Sequence, residues 1–171
     1  MKGYIMPSYK SYMRQDNESI KEFEDRAQLF LDKNLYMSSI FKNKGLSEEF
    51  LRKNIDKVDF YVICDHQKLS EQFIIDHKDK VYWNVICWGQ KLSEPFIDEH
   101  FEKLKINIDH IIRKQKLSEN FIRKYYDKLS PLAKIEVQKK QKLSEDFIRD
   151  FENKIDWNLI CYYQKLSENF I

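Results

Sequence analysis

Serine followed by glutamate occurs six times, at Ser47, Ser70, Ser93, Ser118, Ser144 and Ser167. A hydroxyl beside a carboxylate is raw material for nucleophilic or acid–base catalysis. Six equivalent copies argue against that use, because an active site needs one unlike constellation and these are alike. Three cysteines, Cys64, Cys87 and Cys161, and four histidines, His66, His77, His100 and His110, offer metal donors. The cysteines lie too far apart for the close pairs zinc requires, and no histidine pair has the H-E-x-x-H spacing. With glycine only at Gly3, Gly45 and Gly89, neither a phosphate-cradling loop nor a G-x-S-x-G elbow is present. The residues therefore predict no catalytic centre, no metal, no cofactor and no small-molecule substrate.

The same serines make sense as helix starts. Each belongs to Leu-Ser-Glu-x-Phe-Ile/Leu, beginning at Leu46, Leu69, Leu92, Leu117, Leu143 and Leu166, so that intervals of 23, 23, 25, 26 and 23 residues separate the copies. Serine is a favoured N-cap, and a carboxylate in the first turn complements the helix dipole. Phe147, Ile148, Phe151 and Ile155, like Phe121, Ile122, Tyr125 and Leu129, then fall on one side at helical spacing. This predicts a helix A of about ten residues. His77 occupies the column of Tyr125 and Phe151, which reads as a histidine at the edge of the core.

A second helix, B, of about eight residues follows in each repeat. Asp59 and Asp156 can cap it, and Ser130-Pro131 marks the same start by placing proline at the first helical position. Cys64, Cys87 and Cys161 share one column of helix B and read as small buried hydrophobes. Helices this short are marginal alone and must stack. The expected fold is all-α, an α-solenoid of two-helix repeats of about 23 residues over 46–171, with a divergent cap over 1–45. In that cap, Asn17 or Ser19 opens a helix through Phe23, Ala27, Phe30 and Leu31, and Leu35, Ile40 and Phe41 form a degenerate first repeat. At the other end, the sixth copy stops at Phe170-Ile171, which is expected to lie over the fifth as a lid; a piece cut from a longer array is the rival reading.

These copies resemble the tandem LSExFI-type repeats of bacteriophage, bacterial and giant-virus proteins. The resemblance covers 46–171, implies a helical scaffold and carries over no functional residue. It also implies a virus-encoded interaction protein, an inhibitor of a host defence system being one form, acting in the host cytoplasm. Composition agrees with an intracellular protein: cysteines are odd in number, Met1 to Lys10 lacks the apolar core of a secretory signal, and no apolar run is long enough to span a membrane.

Two columns bear on recognition. Gln67, Gln90, Gln115, Gln141 and Gln164, each followed by lysine, read as turn amides bonding the backbone between neighbouring repeats, with the lysines left open as a possible stripe for an anion. The two residues before each glutamine vary most: Asp65-His66, Trp88-Gly89, Arg113-Lys114, Lys139-Lys140 and Tyr162-Tyr163. Between Arg113 and Lys142 ten basic residues face three acidic ones, whereas the whole chain is only +2. The expected contact residues are therefore Arg113, Lys114, Arg123, Lys124, Lys139 and Lys140, with Trp88, Tyr162 and Tyr163 as anchors. An acidic protein surface is the preferred partner, the modest overall charge weighing against nucleic acid, which remains the alternative. A purely structural array is the third reading.

Overall fold

The computed structural model describes residues 12–33 and 38–170. Leu35 and Ile171, both given roles above, lie outside the described residues. The protein is all-helical, with no strand among the described residues, and divides into two compact units, Met1–Gln90 and Lys91–Ile171.

The first unit holds α1 (Ile20–Asp32), α2 (Ser38–Phe41), α3 (Glu48–Lys53), α4 (Phe60–His66), α5 (Glu71–Asp76) and α6 (Trp83–Gly89). Of the two candidate caps of α1, Ser19 is the one that acts, closing a capping box with Glu22. Helix α2 packs on α4, and α4 on α6, so Ile40 and Phe41 of the degenerate repeat are buried as Ile63 and Cys64 are. Asp59 caps α4 through the N–H groups of Tyr61 and Val62.

In the second unit, α7 (Glu94–Glu99), α8 (Phe101–Leu104), α9 (Ile108–Lys114), α10 (Glu119–Tyr125), α11 (Pro131–Lys140), α12 (Glu145–Asp150) and α13 (Trp157–Tyr163) follow. The B helices α9, α11 and α13 pack in series. Ser130 caps α11 with Pro131 at its first position, as its sequence requires. At ten residues α11 is three longer than the seven of α9 and α13, which matches the widening of this repeat from 23 to 26.

The A helices are shorter than their apolar spacing predicts. Helices α3, α5, α7 and α12 have six residues and α10 has seven, against the ten expected. The chain leaves the helix at Asn54, His77, His100 and Phe151, all near φ −110° to −124° and ψ 17° to 25°. At three of these positions a ring turns back onto the phenylalanine of its own helix: His77 stacks on Phe73 at 4.6 Å, His100 meets Phe96 at 4.7 Å, and Phe151 meets Phe147 at 4.6 Å. The periodicity continues through turns and short 3-10 segments, at Tyr126–Lys128 and Glu152–Lys154, in place of an unbroken α-helix.

The cysteine expectation needs one correction. Cys64 and Cys87 are buried, and burial pushes the Cys64 thiol up to about 11, but Cys161 is exposed. Helix α4, which carries Cys64, packs with both α2 and α6, whereas α13, which carries Cys161, packs with α11.

Candidate partner-binding surface

The repeated polar columns are engaged in the framework. Each of Ser47, Ser70, Ser93, Ser118 and Ser144 caps its A helix by accepting a bond from the N–H three residues on. The glutamates do more than face a dipole, because Glu48, Glu94, Glu119 and Glu145 each grip the serine one repeat later. Ser70 donates its N–H (2.5 Å) and hydroxyl (2.8 Å) to Glu48, and Ser144 donates its own (2.7 and 2.8 Å) to Glu119. Ser118 makes the same two bonds to Glu94, and Ser167 donates its N–H to Glu145 at 2.6 Å. Before the first motif, Glu24 receives Ser47 in the same way. Sequence reading missed this second role; the recurrence of both serine and glutamate in every copy was its signal.

The glutamines form a second ladder at the ends of the B helices. Gln90 donates to the carbonyls of Cys64 (2.9 Å) and Gln67 (2.8 Å) and accepts from the Leu69 N–H (3.0 Å). Gln67, Gln141 and Gln164 repeat this three-bond pattern, and Gln115 exchanges two bonds with Leu92. Asn43 takes the place of glutamine in the cap: it donates to Tyr12 and accepts from the Arg14 N–H. Successive B-helix ends within a unit are therefore held side by side and in register.

The last turns before these glutamines carry the residues singled out for binding, and the structure sorts them into three groups. Arg113 is a framework residue: it reaches Glu136 of α11 at 3.3 Å and Asp109 of its own helix at 3.5 Å, and both carboxylates are buried. Glu136 stands in the column held by Val62, Val85, His110 and Leu159, which gave no clear sign of this pair. Arg123 and Lys124 lie on the A helix α10, not at a B-helix end. Arg123 bonds Glu119 (3.0 Å) and Asp150 (2.5 Å) and covers the Phe147 ring, while Lys124 bonds Asp98 at 2.5 Å. Those bonds raise the Lys124 ammonium and hold the Asp98 carboxyl below its usual range. The surplus of basic residues counted along the sequence thus meets carboxylates both on the same helix and from neighbouring repeats.

The third group stays on the rim. Lys114 and Lys140 are exposed at the ends of α9 and α11, and Lys139 lies with its ammonium 6.0 Å from the Tyr163 ring of α13. Tyr162 and Tyr163 meet edge to face at 4.7 Å and are 80% and 45% exposed. The lysines after the glutamines, Lys116, Lys142 and Lys165, join them on exposed positions. Among the described residues, no carboxylate lies within ion-pair distance of Lys116, Lys139, Lys140, Lys142 or Lys165. Cations at a helix C-terminus complement its dipole, which gives part of this arrangement a purely local reason. That reason does not reach the lysines beyond the cap, nor the tyrosines.

Trp88, 52% exposed, belongs to the first unit, at the end of α6. That unit also carries a groove of about 480 Å³ lined by Lys44, Asp65, His66 and Lys68, with Gly45 and Gly89. His66 is occupied locally by the Val62 carbonyl and Asp65. No three metal-donor side chains converge among the described residues, and no helix there is long and apolar enough to cross a membrane. Comparison of the chain with protein-family models, curated proteins and solved structures finds no match.

Proposed function

We propose that this chain is a non-enzymatic interaction module, an α-solenoid of short two-helix repeats whose basic rim binds an acidic protein surface. The observation that carries the reading is the contrast on the second unit. Arg113, Arg123 and Lys124 are engaged by carboxylates of the chain itself, whereas Lys116, Lys139, Lys140, Lys142 and Lys165 meet none within ion-pair distance among the described residues, and the Lys139 ammonium lies 6.0 Å from the ring of exposed Tyr163. Unpaired lysines supply attraction and steering, and a rigid aromatic pair supplies an anchor of low entropic cost. The serine, glutamate and glutamine columns already hold framework bonds, which leaves the variable column to distinguish partners. An inhibitor that occludes a host component by direct contact is the biological form this module would take if virus-encoded.

A series of lysines with an aromatic neighbour also suits single-stranded nucleic acid, which is the second reading. One experiment separates them: titration of the protein with labelled polyglutamate and with labelled single- and double-stranded DNA and RNA over a salt series. The variant Lys116→Glu/Lys139→Glu/Lys140→Glu/Lys142→Glu serves as control and avoids Arg113. Polyglutamate binding that drops at least about tenfold in the variant, with helicity unchanged, supports the proposal. Tighter binding to an oligonucleotide, falling linearly in log salt, favours nucleic acid instead. Equal polyglutamate binding by both proteins moves the site off the rim.

A further inference from the structure

The spacing of the rim points to the conformation of what it binds. Gln141 bonds the carbonyl of Gln115 at 2.9 Å, and Gln164 bonds that of Gln141 at 3.0 Å, so the ends of α9, α11 and α13 form three adjacent rungs. Packed helices stand about 8–10 Å apart, which sets the distance from one rung to the next. The first rung offers Lys116, the second Lys139, Lys140 and Lys142, and the third the tyrosine pair with Lys165.

An extended strand repeats one face every second residue, about 6.6 Å, which is too short for one charge per rung. An α-helix repeats a face every three or four residues, about 5–6 Å, and matches the rungs only at every seventh residue. A polyproline II segment has three residues per turn and a rise of about 3.1 Å, so that residues i, i+3 and i+6 share a face about 9.3 Å apart. Proline rings and aliphatic side chains of such segments dock against exposed aromatic residues, as the third rung provides.

Resting on the reading of the rim as a protein-binding surface, we infer that the second unit takes an acidic segment in the polyproline II conformation, with carboxylates three residues apart and an apolar residue a further three along. The carboxylates lie on the first two rungs, and the apolar residue lies on Tyr162 and Tyr163. The segment's preset backbone loses little entropy on docking, which lets few contacts suffice.

The test uses fluorescein-labelled peptides of one composition, glutamate and leucine in a proline-rich background, with the glutamates two, three or four residues apart, titrated into the intact chain at fixed low salt. The three-residue spacing is expected to bind at least about tenfold tighter than the others. Tyr162→Ala/Tyr163→Ala is expected to abolish the gain from leucine while leaving the glutamate dependence. Equal affinity at all three spacings overturns the conformational inference and leaves the rim reading standing. Failure of every peptide, together with failure of polyglutamate, removes the rim reading itself, and a labelled poly-dT that outcompetes every peptide reassigns the surface to nucleic acid.

Discussion

A primary amide carries donors and an acceptor on one small group, and Gln90 uses both ends, reaching two carbonyls of the preceding repeat and the N–H of Leu69, which opens its own. Removing it leaves three buried backbone groups without partners. Gln90→Ala is expected to destabilise the protein by about 2–4 kcal/mol in urea denaturation, whereas Lys91→Ala, one residue on, stays within about 0.5 kcal/mol. Arg113 makes a sharper case, because it was expected to contact a partner. Arg113→Ala leaves Asp109 and Glu136 buried without their counter-ion and should cost about 1–3 kcal/mol, less than for a fully buried pair because the guanidinium is partly exposed. Lys140→Ala should be near neutral in the same melt, and equal losses for the two would contradict the assignment. The glutamine role was legible in the sequence, since an invariant amide beside a turn has few other uses. The Arg113 pair was not, because a count of charges along the chain ignores carboxylates arriving from about one repeat away.

Among the elements, α4 and α6 approach closely at Gly89. A Cβ built on Gly89 would stand 2.9 Å from the Cys64 carbonyl oxygen, so the glycine lets one B helix end lie directly on another. Helix propensity alone predicts that Gly89→Ala stabilises by about 1 kcal/mol. The contact predicts the reverse, a loss of about 1–3 kcal/mol as the two helices are forced apart, measurable as a lower melting temperature. An increase would show that the end of α6 shifts freely. Helix starts were readable where Ser47, Ser70, Asp59, Ser130 and Asp156 cap by local chemistry, but not at α6 and α9, which begin without a side-chain cap. Helix A ends were not, because the side chains that close them, such as His77 on Phe73, keep the apolar period while the backbone leaves the helix.

Over the whole molecule, bonds between one repeat and the next lean on ionised carboxylates. Hydrogen bonds from Lys124 and then Tyr125 hold Asp98 below its ordinary 3.8, and the Ser167 N–H lowers Glu145 from 4.5. Burial alone would raise Glu119, but the Ser144 N–H and hydroxyl and Arg123 bring it down. A depressed folded-state value means that the stabilisation is complete above the unfolded value and lost as pH falls through the folded one. The melting temperature should therefore be flat from about pH 7 to 5.5 and fall steeply below about pH 4.5, with Glu119→Gln reducing the fall. A melting temperature unchanged at pH 3 would show that these carboxylates contribute little. The all-helical class and the repeat register could be read from the sequence, since six copies of one motif leave little choice. The basic surface could be read only in part, because Arg113, Arg123 and Lys124 pair with carboxylates of the chain itself.

The glutamate–serine and glutamine ladders have a consequence for how such a chain changes in descent. Each bond joins fixed columns of consecutive copies, as Glu48 to Ser70 and Glu119 to Ser144 do. Loss or gain of one whole copy rejoins equivalent serine, glutamate and glutamine columns, while pairs particular to one repeat, such as Arg113–Glu136, are not restored. Extra residues within a helix are absorbed, as the longer α11 shows by keeping all three bonds of Gln141. Copy number is thus one dimension along which this protein lengthens or shortens without first having to relearn how to fold, and each gained copy brings a fresh variable pair for selection to work on.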